Sequence, residues 1–394
     1  MAIAFITLAI ERTRLRLAAP VLWIAALVIW SFIGLAVTAY PAIVTDKVTE
    51  LAKVCAIMLA VVNTITTRTR VRFVLLFMVL LCVLFPVRGT FFNYYLYGNR
   101  LLGRAVWIAS FSNPNDLGAY CLLQLSIALA AVATEKRTWL RRCSIGLCGC
   151  LVLIVFLTAS RAALIGLACF AVLLLARRIS WQKLSSAVLV AAVVAFLVPN
   201  GVWQRVGLMK EPSKEEEYDP NRVHGDEGSV EQRMAIWKVA LSISKQNPIF
   251  GVGVGAYSEA HLAQRFEDVG PLAYGRRDAH STYLTLLAET GFIGLLLYFC
   301  IIASVFRKVR QAKRMAGPED AAFLRILQTG VIAFLVAGVW GSYGAMAFFY
   351  VHLAFVYAVA HSIAEQRGSH RPISRRGYAL TRPPSPGRIA QSGA

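Results

Sequence analysis

Apolar residues in this chain come in runs of about 18 to 24 positions, and that run length constrains the fold more than any other feature. The runs fall near 17–39, 51–67, 73–88, 116–134, 143–159, 161–176, 185–200, 281–306, 322–340 and 343–362. A helix rising about 1.5 Å per residue needs about 20 such residues to cross roughly 30 Å of hydrocarbon. With 57% hydrophobic and 16% charged residues in 394, the sequence reads as an all-α polytopic membrane protein. The expected organisation is N-terminal transmembrane helices over 1–200, an external loop over 201–280, C-terminal transmembrane helices over 281–362 and a basic tail over 363–394. Residues 1–10, MAIAFITLAI, are too short to span and lack a small-residue cleavage site, so they read as the end of a further helix rather than a signal peptide.

The formal net charge is +20, and its placement excludes nucleic acid as the reason. Arg12, Arg14 and Arg16 precede the first run, Arg68, Arg70 and Arg72 follow the second, and Lys136, Arg137, Arg141 and Arg142 follow the fourth. Arg177, Arg178 and Lys183 follow the sixth run, and Arg307, Lys308, Arg310, Lys313 and Arg314 follow the eighth. Every second connection is therefore basic, which puts those connections and both termini in the cytoplasm by the positive-inside rule. The segment 201–280 then lies outside, and it holds ten Lys/Arg against twelve Asp/Glu. Basicity here reports topology. Cys55, Cys82, Cys121, Cys143, Cys148, Cys150, Cys169 and Cys300 sit in or at the ends of apolar runs without C-x-x-C spacing, as packing residues do.

Within the external segment, 210–229 is acidic and rich in turn formers. Such a stretch reads as a solvated loop before a divalent-ion site. Next, SVEQRMAIWKVALSISKQ (229–246) places Met234, Trp237, Val239/Ala240 and Ile243/Ser244 at helical spacing, with Ser229 and Gln232 as a capping box. This helix is expected on the outer membrane surface or over the mouth of the bundle. NPIFGVGVGAY (247–257) lacks the lysine of a phosphate loop and reads as a tight connection. A second external stretch, 88–115, carries Arg88, Arg100 and Arg104 among aromatic residues. Aromatic girdling explains the Phe and Tyr residues there but not the arginines. It ends in Asn113-Pro114-Asn115-Asp116, with Asn115 or Asp116 the expected helix cap.

His280 opens the eighth run. On a helical wheel it stands above Leu284, Leu287, Gly291 and Gly294, a small-residue stripe that would admit a neighbouring helix. Glu289 lies on the opposite side, about 13 Å deep, where a carboxylate needs a partner or a proton. Taken singly, His280 is also an interfacial or capping histidine, Arg161 at a helix start also a snorkelling cation, and Arg233 also part of a solvated face. Together with Arg265, Arg276 and Arg277 they line an external cavity with one histidine and no metal ligand set. Guanidinium groups bind phosphate and pyrophosphate in a planar, bidentate manner.

Four motifs carry a resemblance. DAHSTYLTLLAETGFIGL, SRAALIG, RMAIW followed by NPIFGVGVGAY, and NPNDLG are similar to elements of the O-antigen ligase and polymerase superfamily, in the same order. The resemblance implies a GT-C-like glycosyltransferase, a bundle of 10–12 transmembrane helices. It also implies transfer of glycan from undecaprenyl pyrophosphate without metal or other cofactor, and, in the ligase branch, a sugar of the lipid A core as acceptor. It places the catalytic histidine on His280 and the two key arginines on Arg161 and Arg233. Arg88, Arg104 and Arg265 are expected to add to substrate binding. The expected setting is the bacterial inner membrane, with the site facing the periplasm, membrane lipid around it and no nucleic-acid partner. A polymerase would use the same residues with a lipid-linked glycan as acceptor, and an O-linked protein oligosaccharyltransferase would use a protein hydroxyl. A transporter would need ionisable residues along a path through the membrane, and the runs hold few beyond Glu289.

Overall fold

The computed structural model describes residues 15–175 and 230–369. The run 185–200, the acidic stretch, Ser229 of the capping box and the tail beyond 369 lie outside the described residues. The chain is all-α apart from one two-stranded hairpin among those residues. Its helices are α1 (Ala19–Ile33), α2 (Pro41–Thr64), α3 (Arg68–Leu96), α4 (Pro114–Thr134), α5 (Thr138–Leu157), α6 (Arg161–Leu175), α7 (Val230–Gln246), α8 (Tyr257–Leu262), α9 (Phe266–Ala273), α10 (Thr282–Met315), α11 (Pro318–Ala337) and α12 (Ala347–Ser369). Seven of them, α1 with its following turn, α3, α4, α5, α10, α11 and α12, are long and apolar enough to cross a membrane. The polytopic all-α architecture expected from the apolar runs is the one observed.

Several boundaries differ from the hydropathy runs, each for a local reason. Helix α2 begins ten residues ahead of its apolar run because Asp46, Lys47 and Glu50 occupy the stretch before that run; hydropathy hides a helix that propensity still permits. Helix α3 runs on to Leu96 although Pro86 lies inside it, by widening into π turns at Val83–Val87 and Phe92–Leu96. A wider turn relieves the missing N–H and the ring clash of an internal proline. The cap of α4 is Asn113, whose side chain accepts Asn115 N–H at 2.8 Å, rather than Asn115 or Asp116. Pro114 fits the first helical position, so the cap must precede it.

Side-chain contacts divide the bundle into two ends. At one end Arg68 reaches Asp320 at 2.6 Å and Arg16 reaches Glu365 at 2.9 Å. There too Arg72 grips Glu135 with two hydrogen bonds of 3.0 Å. That fork holds the Glu135 carboxyl below the usual carboxylate range. At the other end Thr38 donates to the Val252 carbonyl, Arg104 to Thr158 and Thr282 to Gly338 and Gly341. This second end carries the segment 247–280. Helix α4 threads the middle, packed on α5, α6 and α11, and α12 is almost wholly enclosed by α2, α10 and α11. Phe334 and Phe349 stack at 4.6 Å in the core between α11 and α12.

Candidate active site

The segment leading into α10 is built from both sides. Thr282 N–H donates to the Gly338 carbonyl at 2.8 Å, and its hydroxyl donates to Gly341 at 2.7 Å while accepting Tyr343 N–H at 2.9 Å. On the opposite side Trp237 of α7 donates its indole N–H to the Ala279 carbonyl at 2.8 Å. Between these two anchors sits His280, half-buried, with φ of 46°. Left-handed backbone is uncommon outside glycine and its cost is sustained only where the surroundings over-determine it. His280 thus precedes the helix rather than belonging to it, which corrects the wheel reading of its direction.

The small-residue stripe is corrected too. Gly291 has φ of 67° and breaks α10 into two helical stretches. What comes close to it is the Ile249 carbonyl of the glycine turn, which a Cβ would strike, and not a neighbouring helix. The turn 247–257 is bonded into the break: Val252 N–H reaches the Ala288 carbonyl at 2.8 Å, Gly253 N–H the Glu289 carbonyl at 2.9 Å, and Phe292 N–H the Pro248 carbonyl at 3.0 Å. Trp30 of α1 closes the joint by stacking on Phe250 at 4.4 Å and donating to the Thr290 carbonyl at 3.0 Å. Glu289 is buried and its carboxyl accepts Tyr257 N–H. Its depth in the bundle is matched by a turn that descends to meet it, so the acid is satisfied by protein backbone. The tight connection expected at 247–257 is therefore present, and its glycines serve the helix break.

Arg233 lies one turn before Trp237 on α7. Residues four apart share a helix face, so Arg233 sits about 6 Å along the axis from the residue that holds Ala279. Ile236, Val239, Ala240 and Ile243 form the buried face of α7, whereas Met234 is exposed. Helical spacing alone puts Met234 on the apolar stripe, but the face that packs on α9 and α10 is turned away from it. Arg161 is the first residue of α6, following Ala159 at φ of 47° and Ser160, whose hydroxyl accepts Ala163 N–H at 3.3 Å. Gly166, just over one turn further on, packs against Ala333 and Ala337 of α11. The end of α11 in turn receives Thr282 through Gly338. The elements bearing Arg161, Arg233 and His280 thus converge on one end of the bundle, joined through Gly338 on one side and Ala279 on the other.

Residues 146–299 match the family described as O-Antigen ligase. The chain is also 25% identical over 337 residues, 81% of its length and 72% of the relative's, to the exopolysaccharide production protein ExoQ of Rhizobium meliloti (strain 1021). Residues 146–299 thus resemble the O-antigen ligase and polymerase superfamily. The resemblance read from the four motifs is borne out at that level. The matched region contains Arg161, Arg233, Arg265 and His280 and begins after Arg88 and Arg104.

Those last two arginines have local roles in the structure. Arg104 is 4% exposed; its Nε donates to Thr158 at 2.8 Å and an Nη to Asn115 at 2.7 Å, so its guanidinium holds the frame. Arg88 is exposed and lies over the Phe92 ring. Arg265 is exposed at the start of α9. Sequence reading missed three groups that belong to or pack on the segment 247–280. Lys47 of α2 packs against Gly255. Asp278 accepts from Ser258 at 3.2 Å. His261 is buried, its Nδ1 donating to the Gly275 carbonyl at 2.9 Å; burial, with help from the Arg277 guanidinium, pushes its imidazole below the ordinary histidine value. Asp278 opens the DAHSTY motif, and His261 lies in a short polar helix, YSEAHL, after the glycine turn, while Lys47 comes from a distant part of the chain.

Proposed function

We propose that this protein is an O-antigen ligase, transferring glycan from undecaprenyl pyrophosphate to a sugar of the lipid A core on the periplasmic face of the inner membrane. The observation that carries the reading is the meeting of the Arg161, Arg233 and His280 elements at one end of a membrane bundle, within the stretch that matches the family. The diphosphate is already a competent leaving group, so the protein needs positive charge where negative charge grows. Arg161 and Arg233 supply it. His280 takes the proton from the acceptor hydroxyl, worth about 10²–10⁴-fold, as its oxygen attacks the anomeric carbon. The bond from that carbon to the diphosphate oxygen breaks, and the polyprenyl diphosphate departs. Direct displacement inverts the anomeric configuration and requires no metal.

A second reading, supported by the exopolysaccharide production relative, is a polymerase in which the acceptor is itself a lipid-linked glycan. The chemistry at His280 is unchanged and only the acceptor differs. The test supplies purified protein with lipid-linked glycan and, in parallel, lipid A core or a second lipid-linked glycan, in the presence of a metal chelator. Product with lipid A core supports the ligase; product only with lipid-linked glycan moves the assignment to the polymerase. Joined product in neither arm, or retained configuration by NMR, overturns the mechanism. A transporter is disfavoured because Glu289, the ionisable group that reading leans on, has its carboxyl bonded to the backbone of the 247–257 turn.

A further inference from the structure

Arg88, expected from the sequence to add to substrate binding, and Arg100 have no part in the proposed transfer step, and topology does not account for them, since they lie opposite the basic end of the bundle. Helix α3 contains 29 residues, about 43 Å at 1.5 Å per residue, against roughly 30 Å of hydrocarbon. It starts at Arg68, pinned to Asp320, so its last turn and the hairpin after it emerge at the headgroup layer of the other face. There β1 (Arg100–Leu101) pairs antiparallel with β2 (Arg104–Ala105). Buried Arg104, opposite Leu101 beside the hairpin turn, ties it to the Thr158 carbonyl and Asn115, Asn93 donates to Val106 at 3.3 Å, and Arg100 Nε donates to the Tyr94 carbonyl at 2.8 Å.

This rigid frame presents an apolar tip. Leu101, Leu102, Leu96, Tyr97 and Ile108 are all exposed, Leu102 to 60% and Tyr97 to 72%. The two cations are oriented beside them: the Arg88 guanidinium carbon lies 5.3 Å from the Phe92 centroid, and that of Arg100 lies 4.3 Å from the Tyr94 centroid. Stacking holds the planar face on the ring and leaves N–H edges for an anion. No Asp or Glu occurs in the sequence between Glu50 and Asp116, so this stretch carries no carboxylate of its own to meet them.

We propose that the hairpin with the end of α3 is a docking surface for an anionic phospholipid of that leaflet. Leu101 and Leu102 enter the acyl region while Arg88 and Arg100 bind the headgroup phosphate. Such docking is independent of the transfer reaction. To test it, a photo-crosslinking benzoylphenylalanine replaces Leu101 in full-length protein in nanodiscs of phosphatidylcholine with a minor fraction of phosphatidylglycerol, and adducts are identified by mass. Reporting from one site avoids the signal of the basic opposite end. The expected result is phosphatidylglycerol among the adducts at about five-fold or more over its mole fraction. That enrichment should be lost in R88Q/R100Q and kept in R88K/R100K, with lipid adducts forming in all three. Adducts at the mole fraction in the wild-type background, adducts to protein instead of lipid, or equal enrichment in R88Q/R100Q would each overturn the proposal.

Discussion

His280 sits in a backbone conformation that most residues avoid, between a threonine and a tryptophan that hold its neighbours. If it is the base, His280→Ala should lower transfer by about 10² or more while insertion and thermal stability stay near wild type. In steady-state kinetics, near-normal turnover would remove the role. Arg161→Ala and Arg233→Ala should raise the KM for the lipid donor more than that for the acceptor; equal effects on both would count against a diphosphate clamp. His261 gives a pH prediction. The fold disfavours protonation of its imidazole, whereas an unfolded chain takes up a proton near about pH 6.5. Its contribution is complete above that value and is lost as pH falls below it toward the depressed native value. Thermal unfolding in detergent at pH 7.5 and 5.5 should show this loss, and His261→Gln should remove that part of the pH dependence.

Among the elements, the joint between the glycine turn and the break in α10 is the part that sets the direction of the first stretch of α10, and so of the segment before it. Gly291→Ala would place a methyl group against the Ile249 carbonyl at a positive φ. The expected cost is about 2 kcal/mol or more, read as a lower melting temperature with loss of transfer. A fully stable variant would mean the break is not required. The sequence motif Glu289-Thr290-Gly291 was legible, but its use was not. Periodicity assumes one continuous helix, and the break resets the phase after Gly291, so Gly294 faces its own Thr290 and not a partner helix.

For the molecule as a whole, the two ends defined by contacts coincide with the alternation of basic and non-basic connections. In right-side-out membranes, a cysteine replacing Leu272 should react with an impermeant thiol reagent, and one replacing Arg137 should react only after permeabilisation. The opposite pattern would invert the orientation. By itself, the sequence determined the class of fold, the alternation of its ends and the identity of the candidate residues, because run length and charge placement respond to the membrane, a solvent that acts on each segment locally. Only the tertiary structure decided that Arg104 braces the frame, that the glycine turn is wedged into α10, and that Lys47 packs on the segment where His261 and Asp278 find their partners. Those are contacts between segments apart in the chain, fixed by packing and hydrogen-bond satisfaction, and no local pattern encodes which distant backbone will supply the partner.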